Sequence, residues 1–160
     1  KPMGSRHPSI APFEAFKTKD SHIIIAAGND KLFENLCNFL YFSEISKDTK
    51  FITNSQRSEN MDELKIILEN KLKEKKTSEW IKGMEELKIP CGPIFNIKEA
   101  VENPQIRERN MIVKSFHKVV GEFRTAGNPI KMSSYDDSTT RGDIPDLDQH
   151  RDKIIKEFCN

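Results

Sequence analysis

The feature that most constrains this chain is an apolar stretch near its N-terminus, interrupted once by a polar turn. Phe13 and Phe16 precede the polar segment Lys19-Asp20-Ser21, and a continuous apolar run follows over 22–27. Two such runs around a short polar segment are typical of a β-hairpin with a buried strand. Gly28-Asn29-Asp30 then ends the second run and offers an N-cap. The sequence therefore predicts a hairpin followed by a capped helix.

The next part of the chain predicts a helix and then a loop. Apolar side chains recur at helical spacing between Asp30 and Tyr41, with Cys37 on the apolar face. We interpret Cys37 as a buried core thiol, because no neighbouring charge in the sequence would lower its pKa. Residues 42–57 are polar and predict a connecting loop with a short helical turn, anchored by Phe51.

Two further helices are predicted in the middle of the chain. Asn60 followed by Glu63 is a capping-box pattern that precedes an apolar spacing, and it predicts a helix to about residue 75. Thr77 is expected to cap the next helix, in which Trp80 lies on the side that faces the core.

The C-terminal part is poorer in apolar residues. It predicts short helices over 97–101 and 104–109, strands over 111–116 and 119–124, a linker over 135–148 and a final helix over 149–158. The expected fold class is α+β, with one small antiparallel sheet and helices packed against it.

The composition excludes several classes of protein. The 160 residues carry a formal net charge of +1, which gives no field for nucleic acid or a membrane. No apolar run approaches the ~20 residues of a membrane span. The three cysteines, Cys37, Cys91 and Cys159, show no metal-ligand spacing, so no metal site is expected. Reduced thiols favour a cytoplasmic protein.

Four segments together resemble one known family. Residues 4–29 read Gly-x-x-His-Pro-Ser-Ile-x-Pro-Phe-x-x-Phe-x-Thr-x-Asp and then Ile-Ile-Ile-x-x-Gly-Asn. Residues 89–94 read Ile-Pro-Cys-Gly-Pro-Ile, residues 103–109 Asn-Pro-Gln-Ile-Arg-Glu-Arg, and residues 127–133 Gly-Asn-Pro-Ile-Lys-Met-Ser. In order and spacing these segments are similar to the small domain and C-terminal segment of the family III (CaiB/BaiF) CoA-transferases.

The resemblance implies where substrates would lie. The loop Gly4, Ser5, Arg6 and His7 corresponds to a loop that closes over the active site, where Arg6 and His7 would pair with a carboxylate or phosphate. The alternative that Arg6 and His7 are ordinary loop residues stays open. The segment Pro90, Cys91, Gly92 and Pro93 is expected to form a stiff turn that lines a cleft, with Gly92 free to adopt positive φ. For Cys91 a structural role is favoured over a chemical one.

The resemblance also implies what lies outside this chain. Relatives use a catalytic aspartate of a large Rossmann-like domain, and no aspartate here has a matching context, so no catalytic residue is expected in this chain. Coenzyme A would be a substrate, with acyl-CoA and carboxylic acids as partners and no other cofactor. We expect 1–12 to be a linker and active-site loop, 13–126 the small domain, and 127–160 a linker and helix returning to the large domain. That domain would come from missing sequence or a second chain, in an interlocked homodimer.

Two alternatives come from other classes. The first is a non-catalytic α+β module that binds a protein partner and has kept the fold without the activity. The second is an autonomous enzyme that uses Glu14, Asp20 and His22 of the hairpin as an acid-base set. The second is disfavoured, because polar residues clustered at a turn are usually solvated.

Overall fold

The structure is a computed structural model that describes residues 4–159. Its first two strands form the predicted hairpin. Strand β1 (Phe13–Lys17) pairs antiparallel with strand β2 (His22–Ala26), and Phe13 lies opposite Ala26. Strand β3 (Cys91–Pro93) adds antiparallel to the other side of β2, giving the strand order β1-β2-β3. The chain divides into two units between Ile94 and Phe95, and this sheet belongs to the first.

Four α-helices pack around this sheet in the first unit. They are α1 (Asp30–Phe39), α2 (Asn54–Glu59), α3 (Met61–Leu72) and α4 (Thr77–Glu86), with a 3-10 helix at Ile45–Lys47 between α1 and α2. Their buried side chains form one core with the inward faces of β1 and β2. Its largest members are Trp80, Phe16, Phe33, Phe51, Ile23, Ile25, Leu36, Leu40, Met61, Leu64 and Leu68. Cys37 is fully buried in this core, as predicted.

The helix caps show one prediction confirmed and two wrong. The Asn29 side chain accepts from Leu32 N at 2.8 Å and caps α1, as expected. The capping box at Asn60 does not form, because Asn60 directly follows α2 and its amide donates back to Gln56 O at 2.9 Å. Thr77 is the first residue of α4 and does not cap it.

The polar segment 42–57 is a loop with a helical turn at Ile45–Lys47, as predicted, but its last residues begin a second helix. Residues 54–59 form α2, and the capping box lies here instead: Gln56 N donates to Thr53 Oγ1 at 3.3 Å, while Thr53 N donates to Gln56 Oε1 at 3.1 Å. A six-residue polar helix carries too little apolar spacing to be recognised in a sequence.

The second unit has its own sheet. Strands β4 (Ile112–His117) and β5 (Gly121–Ala126) form an antiparallel hairpin, and β6 (Thr140–Asp143) pairs parallel with the other side of β4. Helices α5 (Ile97–Glu102), α6 (Pro104–Glu108) and α7 (Arg151–Phe158) complete the unit.

The α+β class with a small antiparallel sheet and packed helices is confirmed by β1, β2 and β3, and the structure adds a second sheet that was not predicted. There are two three-stranded sheets, and the second is mixed because β6 runs parallel to β4. Strand β6 lies inside the predicted linker 135–148, whose residues carry no alternation of apolar and polar side chains. Of the predicted segments 1–12 and 127–160, residues 1–3 and 160 lie outside the described residues.

Candidate functional site

The loop 4–9 runs beside the free edge of β1. The His7 N–H donates to Phe13 O at 2.9 Å, and Ala15 N donates to Ser5 Oγ at 3.0 Å. The Phe13 carbonyl and the Ala15 N–H point away from β2. The backbone groups of Pro12 and Glu14 point toward β2, because successive residues of a strand alternate between the two directions. The loop therefore occupies the place of a fourth strand.

Helix α3 covers the rest of this edge. Lys65 Nζ donates to Ala15 O at 3.2 Å, and Lys17 N donates to Glu69 Oε1 at 3.0 Å. Side chains of α3 thus bond the backbone groups that the loop leaves open. An edge strand that is covered in this way cannot pair with another chain.

A network of four charged side chains fastens the loop to α3. Glu14 is buried, and its Oε1 accepts from Arg6 Nε at 2.9 Å while its Oε2 accepts from Lys65 Nζ. The outer nitrogen Nη2 of Arg6 donates to Asp62 Oδ1 at 2.7 Å. The hydrogen bond with Asp62 is the main cause that raises the pKa of the Arg6 guanidinium. Arg6 is therefore held on both sides by carboxylates.

His7 is fixed by contacts with its own loop and with β1. Its ring stacks on Phe13, with ring centroids 5.3 Å apart and 7° between the planes. Its Nδ1 accepts from Ser9 N at 3.2 Å, which leaves Nε2 as the ring atom turned to other partners. Gly4, at the start of the loop, has a φ of +67° and open space around its Cα, so it permits the chain reversal there.

The end of the loop is held by a buried arginine that the sequence did not reveal. Arg57 of α2 donates to four carbonyl oxygens, those of Ala11 at 2.7 Å, Gly28 at 2.8 Å, Phe51 at 2.9 Å and Ile52 at 3.4 Å. It also forms an ion pair with Asp30 at 2.8 Å. Arg57 therefore joins Ala11, just before β1, to Gly28, between β2 and α1, and to Asp30 at the start of α1.

Close packing at Gly28 reinforces this junction. A Cβ atom at Gly28 would stand 1.9 Å from Ile10 Cγ2, so a side chain there would displace the loop. Gly28, two residues after the end of β2, thus lets Ile10 approach the backbone.

The second candidate segment is a strand, and the prediction of a turn at 90–93 is wrong. Cys91 lies opposite Ile25 and Gly92 opposite Ile24 in the antiparallel pairing of β3 with β2. Among the described glycines, positive φ occurs at Gly4 and Gly121, so Gly92 does not have it. The two prolines of this segment predict a turn. Pairing with β2 instead holds the segment in an extended backbone.

The two candidate segments lie at opposite edges of one sheet. The loop Gly4, Ser5, Arg6, His7 lies outside β1, whereas Pro90 to Pro93 lie on the far side of β2. Three inter-strand spacings separate them, or about 14 Å. The structure therefore does not bring them together into one site within this unit.

Thiol chemistry gains no support from the structure. Burial raises the pKa of the Cys37 thiol to about 12, and burial is also the main cause that raises the pKa of Cys91. Both changes disfavour the thiolate, which is the nucleophilic form.

The acid-base set of the hairpin is not assembled. Glu14 is bound by Arg6 and Lys65, whereas the Asp20 carboxylate accepts from Thr77 N at 2.9 Å at the start of α4. The alternative of an autonomous enzyme required the side chains of this set to act together, so the structure does not support it.

Two further features, a metal-binding group and a membrane-spanning helix, are absent from the described residues. Over 4–159 there is no group of three or more His, Cys, Asp or Glu side chains that could hold a metal ion. In the same range, no helix is both long and apolar enough to cross a membrane.

Sequence reasoning missed Lys65, Asp62 and the burial of Glu14, although one signal was present. In a strand, residues two apart share a face, so Glu14 lies on the same face as the buried Phe16. A carboxylate on the core face needs a cation. No sequence pattern shows that α3 supplies it.

Comparison with known proteins gives consistent matches along nearly the whole chain. The model of the family described as CoA-transferase family III matches residues 1–151. The chain is 37% identical over 157 residues to an acetyl-CoA:oxalate CoA-transferase of Acetobacter aceti, covering 98% of this chain and 39% of that protein. It is 36% identical over 157 residues to the human succinyl-CoA:glutarate CoA-transferase, covering 98% of this chain and 36% of that protein.

A solved structure agrees with these sequence matches. The crystal structure of a CaiB/BaiF family protein from Brucella suis aligns with a TM-score of 0.75 and 32% identity. The alignment covers 98% of this chain and 40% of that chain. The chain thus spans about two fifths of the length of the relatives that it matches.

Proposed function

Because the chain belongs to CoA-transferase family III, we propose that it is the smaller, C-terminal part of an enzyme that moves CoA between carboxylic acids. The observation that carries this proposal is the match over 98% of the chain to two CoA-transferases, combined with a coverage of less than two fifths of each. In this proposal the rest of the enzyme is supplied by further sequence or by a second chain.

In this proposal the nucleophile is an aspartate outside the chain. Its carboxylate attacks the donor thioester, displaces the CoA thiolate and forms a mixed anhydride. The thiolate then attacks the aspartyl carbonyl, releases the donor acid and leaves an aspartyl-CoA thioester, from which the acceptor acid takes CoA by the reverse steps. The raised thiol pKa values of Cys37 and Cys91 fit a scheme without a cysteine nucleophile.

The contribution of this chain would be the loop of Gly4, Ser5, Arg6 and His7. The loop is fastened to β1 and α3 by several hydrogen bonds, so its polar groups are held in fixed positions before a substrate arrives. A preorganised loop loses little conformational entropy on binding. Pro90 to Pro93 would line the same enzyme's cleft from the opposite edge of the sheet.

In this proposal the second unit carries the docking surface for the large domain. Among its described residues, Val113, Ser115 and Gly127 are buried, while Ile154, Ile155 and Phe158 of α7 are exposed. Exposed apolar side chains in such number favour docking on another domain or chain. We propose the large domain as this partner, in an interlocked homodimer located in the cytoplasm.

The test is a thioester exchange assay on the chain combined with a large domain of this family. Donors would be acetyl-CoA and succinyl-CoA, and acceptors oxalate and glutarate, following the named substrates of the two relatives. We expect exchange with both parts present and none with the chain alone. An assembly that forms but exchanges no donor-acceptor pair would favour the alternative, a non-catalytic module that binds a protein partner.

A substitution in the loop tests the role of this chain. We expect His7→Ala to lower turnover of the assembled enzyme by about tenfold or more, since a hydrogen bond to a charged carboxylate or phosphate contributes roughly 1.5–3 kcal/mol. Arg6→Ala should lower turnover as well, with a cost in stability because Glu14 loses one of its cations. An unchanged rate with a lowered melting temperature for His7→Ala would show that the ring only packs on Phe13.

A further inference from the structure

Arg6 and Lys65 bind the two oxygens of one buried carboxylate, and both cations remain partly open to solvent. The Glu14 side chain is 3% exposed, whereas those of Arg6 and Lys65 are 28% and 31% exposed. Glu14 thus fixes the two cations side by side. A buried carboxylate that binds two cations holds their positions firmly, because leaving it without them would be costly.

The outer side of Arg6 is occupied by a carboxylate that can leave. Asp62 is 90% exposed, and its Oδ1 accepts from Arg6 Nη2 at 2.7 Å. An exposed ion pair contributes little stability, so another carboxylate can take the place of Asp62 at small cost. The buried pair with Glu14 would stay intact during this exchange.

The charges of this network balance within the chain. Two cations, Arg6 and Lys65, face two carboxylates, Glu14 and Asp62. A ligand carboxylate that replaces Asp62 meets the same two cations, while the displaced Asp62 carboxylate turns to water, where its charge is screened. The planar guanidinium suits a carboxylate ligand, as its contact with Asp62 already shows.

We propose that Arg6 and Lys65 form a binding site for the carboxylate group of a substrate acid, positioned by Glu14 and occupied by Asp62 until the acid replaces it. The identity of the ligand as a substrate rests on the proposed function, while the site itself rests on the contacts. Lys65 is thereby assigned to the binding of substrate, and Asp62 acts as a competitor within the chain.

The first experiment is a titration of the ¹⁵N-labelled 160-residue chain with succinate, followed by the backbone amide signals of Arg6, Ala15 and Lys65. Succinamide, which has the same carbon skeleton without charge, is the control ligand. We expect saturable shifts with succinate and none with succinamide. Absence of a saturable shift with succinate would overturn the site.

Matched variants separate competition from a general change in surface charge. Asp62→Asn should tighten succinate binding about two- to fivefold, because it removes a competing exposed ion pair. Glu63→Gln is the control, since Glu63 is the next residue of α3 and pairs with Lys50 instead. Equal affinities for the two variants would contradict a competing role for Asp62.

A second pair of variants tests Lys65. Lys65→Gln should weaken succinate binding at least several-fold, and Lys65→Arg should restore it, while Lys50→Gln leaves it unchanged. The amide spectra of each variant show in the same experiment whether the fold is kept. A folded Lys65→Gln chain that binds succinate like the original would overturn the assignment.

The exchange assay distinguishes this site from the proposed function. In an active assembled enzyme, Lys65→Gln should raise the KM for the acceptor acid more than it lowers kcat. Exchange with an unchanged KM would overturn the site and leave the transferase function standing. Saturable succinate binding without any exchange would support the site and contradict the transferase function.

Discussion

At the scale of single residues, Arg57 shows how one polar side chain organises a unit. Its guanidinium is fully buried, bonds the carbonyls of Ala11, Gly28 and Phe51, and lies 4.6 Å from the centre of the Phe33 ring. A buried cation needs this many acceptors, because a desolvated charge without partners is strongly unfavourable. The segment between the candidate loop and β1 is thus held by a residue of a helix that is six residues long.

Removing this side chain should be severe. We expect Arg57→Met to lower the free energy of unfolding by about 3 kcal/mol or more, because several buried carbonyls each lose a donor. Lys31→Met is the control, as Lys31 forms an exposed pair with Glu34, and it should change stability by less than about 0.5 kcal/mol. Urea unfolding followed by Trp80 fluorescence measures both. Equal midpoints for the two variants would show that Arg57 is dispensable.

The buried partners of Arg57 and Glu14 could not be predicted from the sequence alone. Asn29 could be assigned as a cap because its bond is to a backbone group three residues away. Arg57 instead bonds residues up to 46 positions away, and Glu14 meets Lys65 after 51 positions. Partners at such separations are set by packing, so the candidate network could not be read from local pattern.

At the scale of elements, the hairpin turn is fixed by a carboxylate. Asp20 accepts from the backbone N–H and hydroxyl of Thr77 and from the Thr18 hydroxyl, and the backbone bond is the main cause that lowers the Asp20 pKa. This contact joins the turn between β1 and β2 to the start of α4.

The lowered pKa predicts a dependence of stability on pH. The contribution of Asp20 is present above the pKa of an unfolded aspartate, about 3.9, and is lost as the pH falls through the lower folded value. Asp20→Asn keeps an acceptor oxygen but does not titrate. We expect its melting temperature to fall less steeply between about pH 4 and pH 2 than that of the original chain. Glu86→Gln, at the end of α4, is the control; a slope like that of Asp20→Asn in this variant would contradict the assignment.

Elements with strong periodicity were predictable, and those that depend on neighbours were not. The hairpin and helices α1, α3 and α4 follow from apolar spacing within each segment. Strand β3 is three residues long and exists because β2 offers an edge, and β6 pairs with β4 from within a polar segment. Such strands are defined by their partner and carry little signal of their own.

At the scale of the whole molecule, the two units differ in how much core they hold. The buried apolar core lies almost entirely before residue 95, and it contains the single tryptophan, whose Nε1 donates to Leu72 O at 2.7 Å. Trp80 fluorescence therefore reports on the first unit alone. The family resemblance covered the full length, but the division at residue 94 was not anticipated.

The first unit should fold without the second. We expect a fragment of residues 1–94 to unfold in urea with a midpoint within about 15% of that of the full chain, when both are followed by Trp80 fluorescence. A fragment of residues 1–88 is the control and should be much less stable, because it lacks β3 and the buried Ile89. A 1–94 fragment without a cooperative transition would show that the core needs later residues.

The covered edge of β1 sets a limit on how the candidate loop can work. Moving residues 4–9 away would uncover Phe13 O and Ala15 N, two backbone groups that face outward. Bare groups of this kind recruit the strand of a neighbouring copy, which is the first step of domain swapping and of fibre growth. A loop that swings open at every turnover would expose the protein to self-association at every turnover. A stationary loop, approached by its substrate, avoids that hazard.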